Sequence, residues 1–278
     1  MSKLGGGERP GNSKKILIPI EGHPSELKMC RLFLDLAKVK KCNLTFFHVE
    51  TPETRAEEIL RKLENNIKEV EVKAWIQVVS GEDPANKILE EAKRQYDLIV
   101  MASRIKALKK QLFGSVTNKV TRSAKCDVIV FHNVDKLPKN LGKILVPLLS
   151  PKRKVVKLVL EFLDMECCRD ADATFLYLHE LPISLPLGTE YIPEEERKRV
   201  RKALSIIKEE SKTAGKTPWF KDLITRDIRR TILDYVKKFK PDLVFIPART
   251  RPRAVFGLLG TDEYYLASHL NIPVILFF

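Results

Sequence analysis

The 278-residue sequence has no long apolar segment of the kind that would place it in a membrane. No apolar run approaches the roughly 18 residues that a membrane-spanning helix requires. Residues 1–15 contain glycines and lysines but lack the apolar stretch of a secretory signal peptide. We therefore expect no contact with a membrane and a location in the cytoplasm. With 44% hydrophobic and 31% charged residues, the composition is that of a globular protein, and the length suits two domains.

Cysteine is scarce, and its spacing excludes the common disulfide and zinc frameworks. The five cysteines form no Cys-x-x-Cys pair, and Cys167 and Cys168 are adjacent, a spacing at which a disulfide is strained. No histidine or cysteine pair has the spacing of zinc ligands. We therefore predict free, mostly buried thiols and no metal site.

Catalytic motifs are also missing from the sequence. It has no Gly-x-Ser-x-Gly turn that would present a nucleophilic serine. His48 and His132 lie within strand patterns, where a structural role is the simpler interpretation, and only His23 lies in a loop near the predicted ligand crevice. Beside Glu21, the acid that follows the first strand, no second carboxylate or base is apparent. We therefore expect a binding protein in preference to an enzyme.

Positive charge is plentiful, with a formal net charge of +14 at pH 7. Lysines and arginines cluster at 38–41, 152–154, 197–202, 237–240 and 249–253. Such a balance favours anionic partners, namely nucleotides, nucleic acid or acidic lipid surfaces. Solvated helix exteriors are the alternative. Residues 193–202 favour that alternative, because a proline and three glutamates there are typical of a helix start.

The two halves of the chain repeat the same segments in the same order. Residues 15–20 (KILIPI) recur at 143–148 (KILVPL), and 97–100 (DLIV) recur at 242–245 (DLVF). Residues 102–131 then align without a gap onto residues 248–277, with six identities. A fixed order over several matched segments indicates an internal duplication.

Each copy alternates strand patterns with helix patterns. In the first copy we predict strands near 16–20, 43–49, 72–79, 96–101 and 127–132, with helices starting near 24, 54, 84 and 115. This β-α alternation predicts an α/β fold: two tandem doubly wound, five-stranded, mostly parallel sheets. The predicted boundaries are a disordered tail at 1–13, a first domain at 14–134, a linker at 135–141 and a second domain at 142–278.

An open α/β sheet binds ligands at the carboxyl ends of its strands, where the winding direction switches. In the first copy the bordering loops are residues 21–23, which follow the first strand, and residues 102–115, which follow the fourth. Gly114 and Ser115 begin a predicted helix, whose amides could hold an anion. The alternative is that Gly114 only permits a turn and Ser115 only caps the helix.

Taken together, these segments resemble the universal stress protein family. The resemblance rests on residues 16–21, 47–49, 81–84, 97–101, 112–116 and 126–131, and in the second copy on residues 144–147, 242–246, 258–261 and 272–277. It implies a Rossmann-like domain in each copy and an intrachain pseudo-dimer with the last strands at or near the contact, with a further homodimer as an option. The resemblance also implies a role in the stress response and ATP or another adenine nucleotide as ligand, with Mg²⁺ as an optional companion.

The resemblance further implies which residues would line a nucleotide site. In the first copy these are Pro19, Glu21, Val49, Met101, Ala102, Gly114, Ser115 and Val116. Nucleotide-binding members carry an Asp where Glu21 stands, and glycines where Ala102 and Ile105 stand. In the second copy Leu149 replaces the acid, and Ala248 and Arg251 replace glycines. The sequence thus predicts weak nucleotide binding in the first domain and its loss in the second.

A different anionic ligand is the alternative that the second copy suggests. Arg249, Arg251 and Arg253 follow its fourth strand, and Gly260 and Thr261 open the next helix. Side-chain charge could hold an anion there instead of backbone amides. Nucleic acid binding and slow nucleotide hydrolysis are further alternatives. Neither has a motif to support it.

Overall fold

The computed structural model describes residues 13–51, 56–103, 114–149, 151–180, 192–248 and 262–278. Strands and α-helices alternate throughout these residues. The first half contains β1 (Lys15–Ile20), α1 (Glu26–Lys40), β2 (Asn43–Glu50), α2 (Glu57–Val70), β3 (Ala74–Ser80), α3 (Pro84–Ala92), β4 (Leu98–Ser103), α4 (Ser115–Ser123) and β5 (Asp127–His132). The second half contains β6 (Lys143–Pro147), α5 (Arg153–Phe162), β7 (Asp172–Glu180), α6 (Glu194–Ala214), β8 (Trp219–Thr225), α7 (Ile228–Phe239), β9 (Leu243–Pro247), α8 (Asp262–His269) and β10 (Val274–Phe277).

All ten strands belong to one sheet, in the order β3-β2-β1-β4-β5-β10-β9-β6-β7-β8. Within each half the paired strands are parallel. The predicted doubly wound α/β class is therefore confirmed in both halves. The sequence predicted two tandem five-stranded sheets, and the structure joins them edge to edge into one sheet through the antiparallel pair β5–β10.

The helices cover both faces of this sheet. Buried residues of α1, α2, α5 and α6 form one apolar cluster, and those of α3, α4, α7 and α8 form the other. Corresponding helices of the two halves thus share a face, while the strand direction reverses at the junction. The halves are therefore related by an approximate two-fold rotation about an axis normal to the sheet.

The junction between the halves is a packed part of the core. Val274 lies opposite His132 and Phe277 lies opposite Ile129, as the sequence predicted for the last strands. On one face Phe33 of the first half contacts Phe162 of the second edge to face, with ring centroids 6.2 Å apart. The two halves of the predicted pseudo-dimer therefore share one apolar cluster on each face of the sheet.

Several element boundaries differ from the prediction for local reasons. The third strand begins at Ala74 instead of residue 72, because Glu71 ends α2 in the left-handed conformation with φ 51°. The fourth strand begins at Leu98 instead of residue 96, because Gln95 has a φ of 63° and Asp97 accepts a hydrogen bond from the Lys15 amide. The 1–13 tail prediction falls, except for residue 13, outside the described residues.

The cysteines and the helix lengths can be compared with what the sequence predicted for disulfides and membrane spans. All five cysteines are free, and three of them are buried: Cys30, Cys42 and Cys168. In the part of the chain that the structure describes, no helix is long and apolar enough to cross a membrane.

Candidate functional site

The candidate site lies where β1 and β4 end, at the carboxyl edge of the first half of the sheet. Four of the eight predicted residues lie on the face of the sheet that α3 and α4 cover. Val49 and Met101 belong to the apolar cluster under α3 and α4, Val116 packs against that cluster, and Pro19 is buried. Ala102 lies on the opposite face, against the cluster under α1 and α2. Val49, Met101 and Val116 thus form an apolar surface at the strand ends on the face that α3 and α4 cover.

Glu21 is the exposed acid of the site, directly after β1. The loop that it opens turns sharply, because Gly22 has a φ of 106° that other residues rarely adopt. This turn directs three successive amides, of Glu21, Gly22 and His23, to one point.

The carboxylate of Glu26 occupies that point. Its Oε1 accepts the amide of Glu21 at 3.1 Å, and its Oε2 accepts the amides of Gly22 and His23, each at 2.9 Å. Burial raises the pKa of Glu26, while the three backbone hydrogen bonds oppose that shift. An acid of this chain therefore fills an amide nest of the kind that elsewhere binds a ligand anion.

Glu26 corrects the expectation that Glu21 has no second carboxylate beside it. The sequence signal was an acid in the first turn of a helix, after a loop that contains a glycine. Helix starts commonly carry such an acid for its interaction with the dipole, so the signal did not separate that role from loop closure.

His23 is also engaged within the loop. Its Nδ1 lies 2.7 Å from the Ser25 hydroxyl and 3.2 Å from the Ser25 amide, which donates to it. His48 is buried with Nδ1 2.8 Å from the Ile20 carbonyl, which agrees with the structural role predicted for it. His132 is buried in β5, and burial lowers its pKa to about 4.

The start of α4 differs in detail from the prediction. Gly114 is the N-cap residue, with an extended backbone at φ −64° and ψ 166°, and a Cβ there would meet no atom of the described residues within 4 Å. This backbone conformation is open to residues other than glycine. Ser115 lies one position inside the helix, and no side-chain capping bond occurs at this described helix start. The interpretation of Ser115 as a cap was therefore wrong, and both residues are exposed.

The second half has a different surface at the equivalent strand ends. Leu149 replaces the acid and packs against the apolar cluster under α7 and α8, and Ala248 is buried. Arg249, Arg251, Arg253, Gly260 and Thr261 lie outside the described residues, as does Ile105 of the first half.

An ion pair links α7 to the start of α8 at the carboxyl edge of the second half. The Arg229 Nε donates to Asp262 Oδ1 at 2.7 Å at the start of α8, and the Arg229 guanidinium lies 4.9 Å from the Tyr265 ring centroid. Across the described ranges, no group of three His, Cys, Asp or Glu side chains could hold a metal ion.

Comparison with known proteins identifies the family. The model of the universal stress protein family matches residues 12–132 and again residues 140–277. The chain is 30% identical over 144 residues to universal stress protein MJ0531 of Methanocaldococcus jannaschii, which covers 44% of this chain and 84% of that protein. It is 29% identical over 143 residues to universal stress protein YxiE of Bacillus subtilis, covering 42% of this chain and 97% of that protein.

A solved structure extends the similarity to both halves at once. A universal stress protein from Archaeoglobus fulgidus superposes with a TM-score of 0.65 at 17% identity, covering 96% of this chain and 98% of that chain. At that identity the match concerns the fold alone. With two matches of the family model along one sequence, the chain belongs to the universal stress protein family and is a tandem of two such domains.

Proposed function

We propose that this chain is a cytoplasmic protein that acts in signalling by binding a ligand. Its first domain binds an adenine nucleotide weakly, and its second domain does not bind one. The observation that carries the proposal is the contrast between the two strand ends. Glu21 stands exposed after β1, whereas Leu149 is packed into the core after β6. The free cysteines are in keeping with a reducing compartment.

The first domain has groups that fit the parts of a nucleotide. The Glu21 carboxylate can accept a hydrogen bond from a ribose hydroxyl. The first amides of α4 have no partner within the helix and suit a phosphate. Val49 and Met101 supply an apolar floor at the same edge. Because Glu26 takes the three loop amides after β1, phosphate would depend on α4, and the expected affinity is low.

Magnesium would enter this site with the nucleotide. Mg²⁺ is usually held by substrate phosphates and one or two carboxylates, and Glu21 is an exposed carboxylate at this edge of the first domain. The chain itself supplies no pre-formed cage within the described residues.

Binding is favoured over hydrolysis because the neighbours of Glu21 have other partners. Glu26 accepts three amides, and His23 Nδ1 accepts from the Ser25 amide. A general base needs a lone pair directed at water, and both groups direct theirs into the loop.

Calorimetry with ATP and magnesium tests the proposal. We expect at most one site per chain. Glu21→Leu, which copies the residue of the second domain, should weaken binding about ten- to a hundred-fold, since a hydrogen bond to a charged group contributes about 1.5–3 kcal/mol.

The matched controls lie in the second domain. Leu149→Ala and Thr261→Val should leave the affinity unchanged. Two equivalent sites per chain, or a site that is insensitive to Glu21→Leu, would contradict the proposal. An absence of binding would mean that the fold serves as a scaffold here.

A further inference from the structure

A pocket lies on the second half of the sheet, at the end opposite the strand carboxyl ends. It is a cavity of about 250 Å³ between the amino ends of β6–β8 and helix α7. Its principal side chains are Trp219 and Lys221 of β8, Thr174 of β7, Tyr235 and Phe239 of α7, and Pro241.

The first half fills the equivalent place with its own tyrosine. Tyr96 precedes Asp97 and β4 as Pro241 precedes Asp242 and β9. The Tyr96 hydroxyl lies 3.0 Å from Thr45 Oγ1 and 3.0 Å from Glu91 Oε1. The strand register matches as well, because Thr45 pairs with Trp75 just as Thr174 pairs with Trp219.

Three replacements change this place in the second half. Pro241 takes the position of Tyr96, so the phenol ring is missing. Tyr235 takes the position of Glu91, counted from the equivalent caps Asp83 and Asp227, so a phenol replaces a carboxylate there. Lys221 takes the position of Gln77, whose amide donates to Glu91 at 3.2 Å. The tryptophan and the threonine are kept and line the cavity, and the change of Gln77 and Glu91 to Lys221 and Tyr235 makes its charge more positive.

The walls of this space suit an aromatic ring with an acid group. Tyr235 and Phe239 are stacked with centroids 4.1 Å apart, and Trp219 stands at the rim with 61% of its surface exposed. The Lys221 ammonium lies 4.7 Å from the Phe239 centroid, and no ion pair of Lys221 occurs among the described residues. Asp172 and Lys143 line the same pocket and offset each other in charge.

We propose that this pocket binds a single-ring aromatic acid of the hydroxybenzoate class. The ring takes the place that the Tyr96 phenol has in the first half, its hydroxyl faces Thr174, and its carboxylate meets Lys221. A cavity of about 250 Å³ suits a single-ring ligand, and it lies at the end of the strands opposite the proposed nucleotide site. The site is therefore separate from the proposed nucleotide site at the other end of the strands.

Tryptophan fluorescence tests this proposal, since the chain has two tryptophans and one lies in the pocket. In a Trp75→Phe background, Trp219 is the reporter, and 4-hydroxybenzoate should change its emission saturably. Lys221→Gln should weaken 4-hydroxybenzoate at least ten-fold, while p-cresol, which has the ring without the acid, should bind both proteins equally.

Variants of the pocket provide the controls. In a Trp219→Phe background the remaining Trp75 should show no saturable change. Pro241→Tyr should refill the space as in the first half and abolish binding, with folding checked by circular dichroism. Should that variant not fold, Thr174→Leu blocks the same space.

Three results would overturn the proposal. They are the absence of a saturable change at Trp219, equal affinity for 4-hydroxybenzoate after Pro241→Tyr, and displacement of 4-hydroxybenzoate by ATP. The last result would place the aromatic acid at the strand carboxyl ends instead. None of the three depends on whether the first domain binds nucleotide.

Discussion

At the scale of single side chains, the buried residues Glu26 and His132 affect the structure of a loop and the dependence of stability on pH. Glu26 gathers three amides of the β1–α1 loop, and its removal would leave those donors directed at an empty point. His132 lies in β5 at the junction of the halves, opposite Val274 of β10, and its burial disfavours the charged imidazole more than Asp135 favours it. Both residues tie the folded state to the protonation of a buried group.

The free energy of unfolding should decrease as the solution is acidified, over the pH range in which the pKa of His132 differs between the folded and unfolded chain. Burial lowers the pKa of His132 from 6.5 to about 4, so the unfolded chain binds a proton that the folded chain rejects. The free energy of unfolding is therefore largest above pH 6.5 and declines as the pH falls toward 4, by about 3 kcal/mol for this residue. Urea unfolding across this range measures the decline.

His132→Phe isolates that contribution, because Phe278 occupies the equivalent position in the second half. The variant should lose this part of the pH dependence, while His269→Gln, at an exposed position, should retain it. Identical pH profiles for the wild type and His132→Phe would show that the buried imidazole does not carry the effect.

At the scale of elements, the two halves start their third helices in the same way. Asp83 accepts the amide of Asn86 at the start of α3, and Asp227 accepts the amide of Arg230 at the start of α7, each at 3.0 Å. The cap agrees with the helix start that the sequence predicted near residue 84. The start of α4 lacks such a bond within the described structure.

Removing the cap of α7 should therefore destabilise the protein. Asp227→Ala should lower the free energy of unfolding by about 1 kcal/mol, because one amide of the first turn loses its acceptor. Asp83→Ala should act in the same direction, and Ser115→Ala in α4 should change little. Chemical unfolding of the three variants compares them, and an equal response of Ser115→Ala would contradict the assignment of the caps.

At the scale of the whole molecule, the β5–β10 pair makes one body of two domains. Phe278 closes it, with its amide 2.8 Å from the Val128 carbonyl and its carbonyl 3.2 Å from the Val128 amide. The pair leaves β3 and β8 as the edges of the described sheet. Stability should therefore depend on the last residues of the chain.

Removal of Phe277 and Phe278 should lower the melting temperature clearly. Both side chains are buried, and Phe277→Ala alone should cost about 3–5 kcal/mol through lost contacts and a cavity. Phe239→Ala, at a partly exposed aromatic position, is the matched control and should cost much less. Equal melting of the truncated and full-length chains would mean that β10 does not hold the halves together.

Much of the fold could be predicted because its signals are local or repeated. Strand patterns such as that of residues 15–20, the Asp83 cap and the left-handed Gly215 that ends α6 each act within a few residues. The duplication then multiplied these weak signals by matching them in order. The candidate site was predicted less completely. Glu26 accepts three loop amides only because the backbone turn at Gly22 directs them toward it, and this direction cannot be read from the sequence.

The sequence by itself determined the tandem α/β architecture, the helix and strand order and the loss of the acid at Leu149. Only the tertiary structure decided that the last strands pair edge to edge and antiparallel and so join the two sheets into one, because the apolar pattern of a buried strand does not specify its partner or direction. Only the structure also revealed the pocket beside Trp219. The replacement of a tyrosine by Pro241 cannot be recognised as significant from the sequence. It becomes so only when the structure shows where the equivalent residue of the first half, Tyr96, packs.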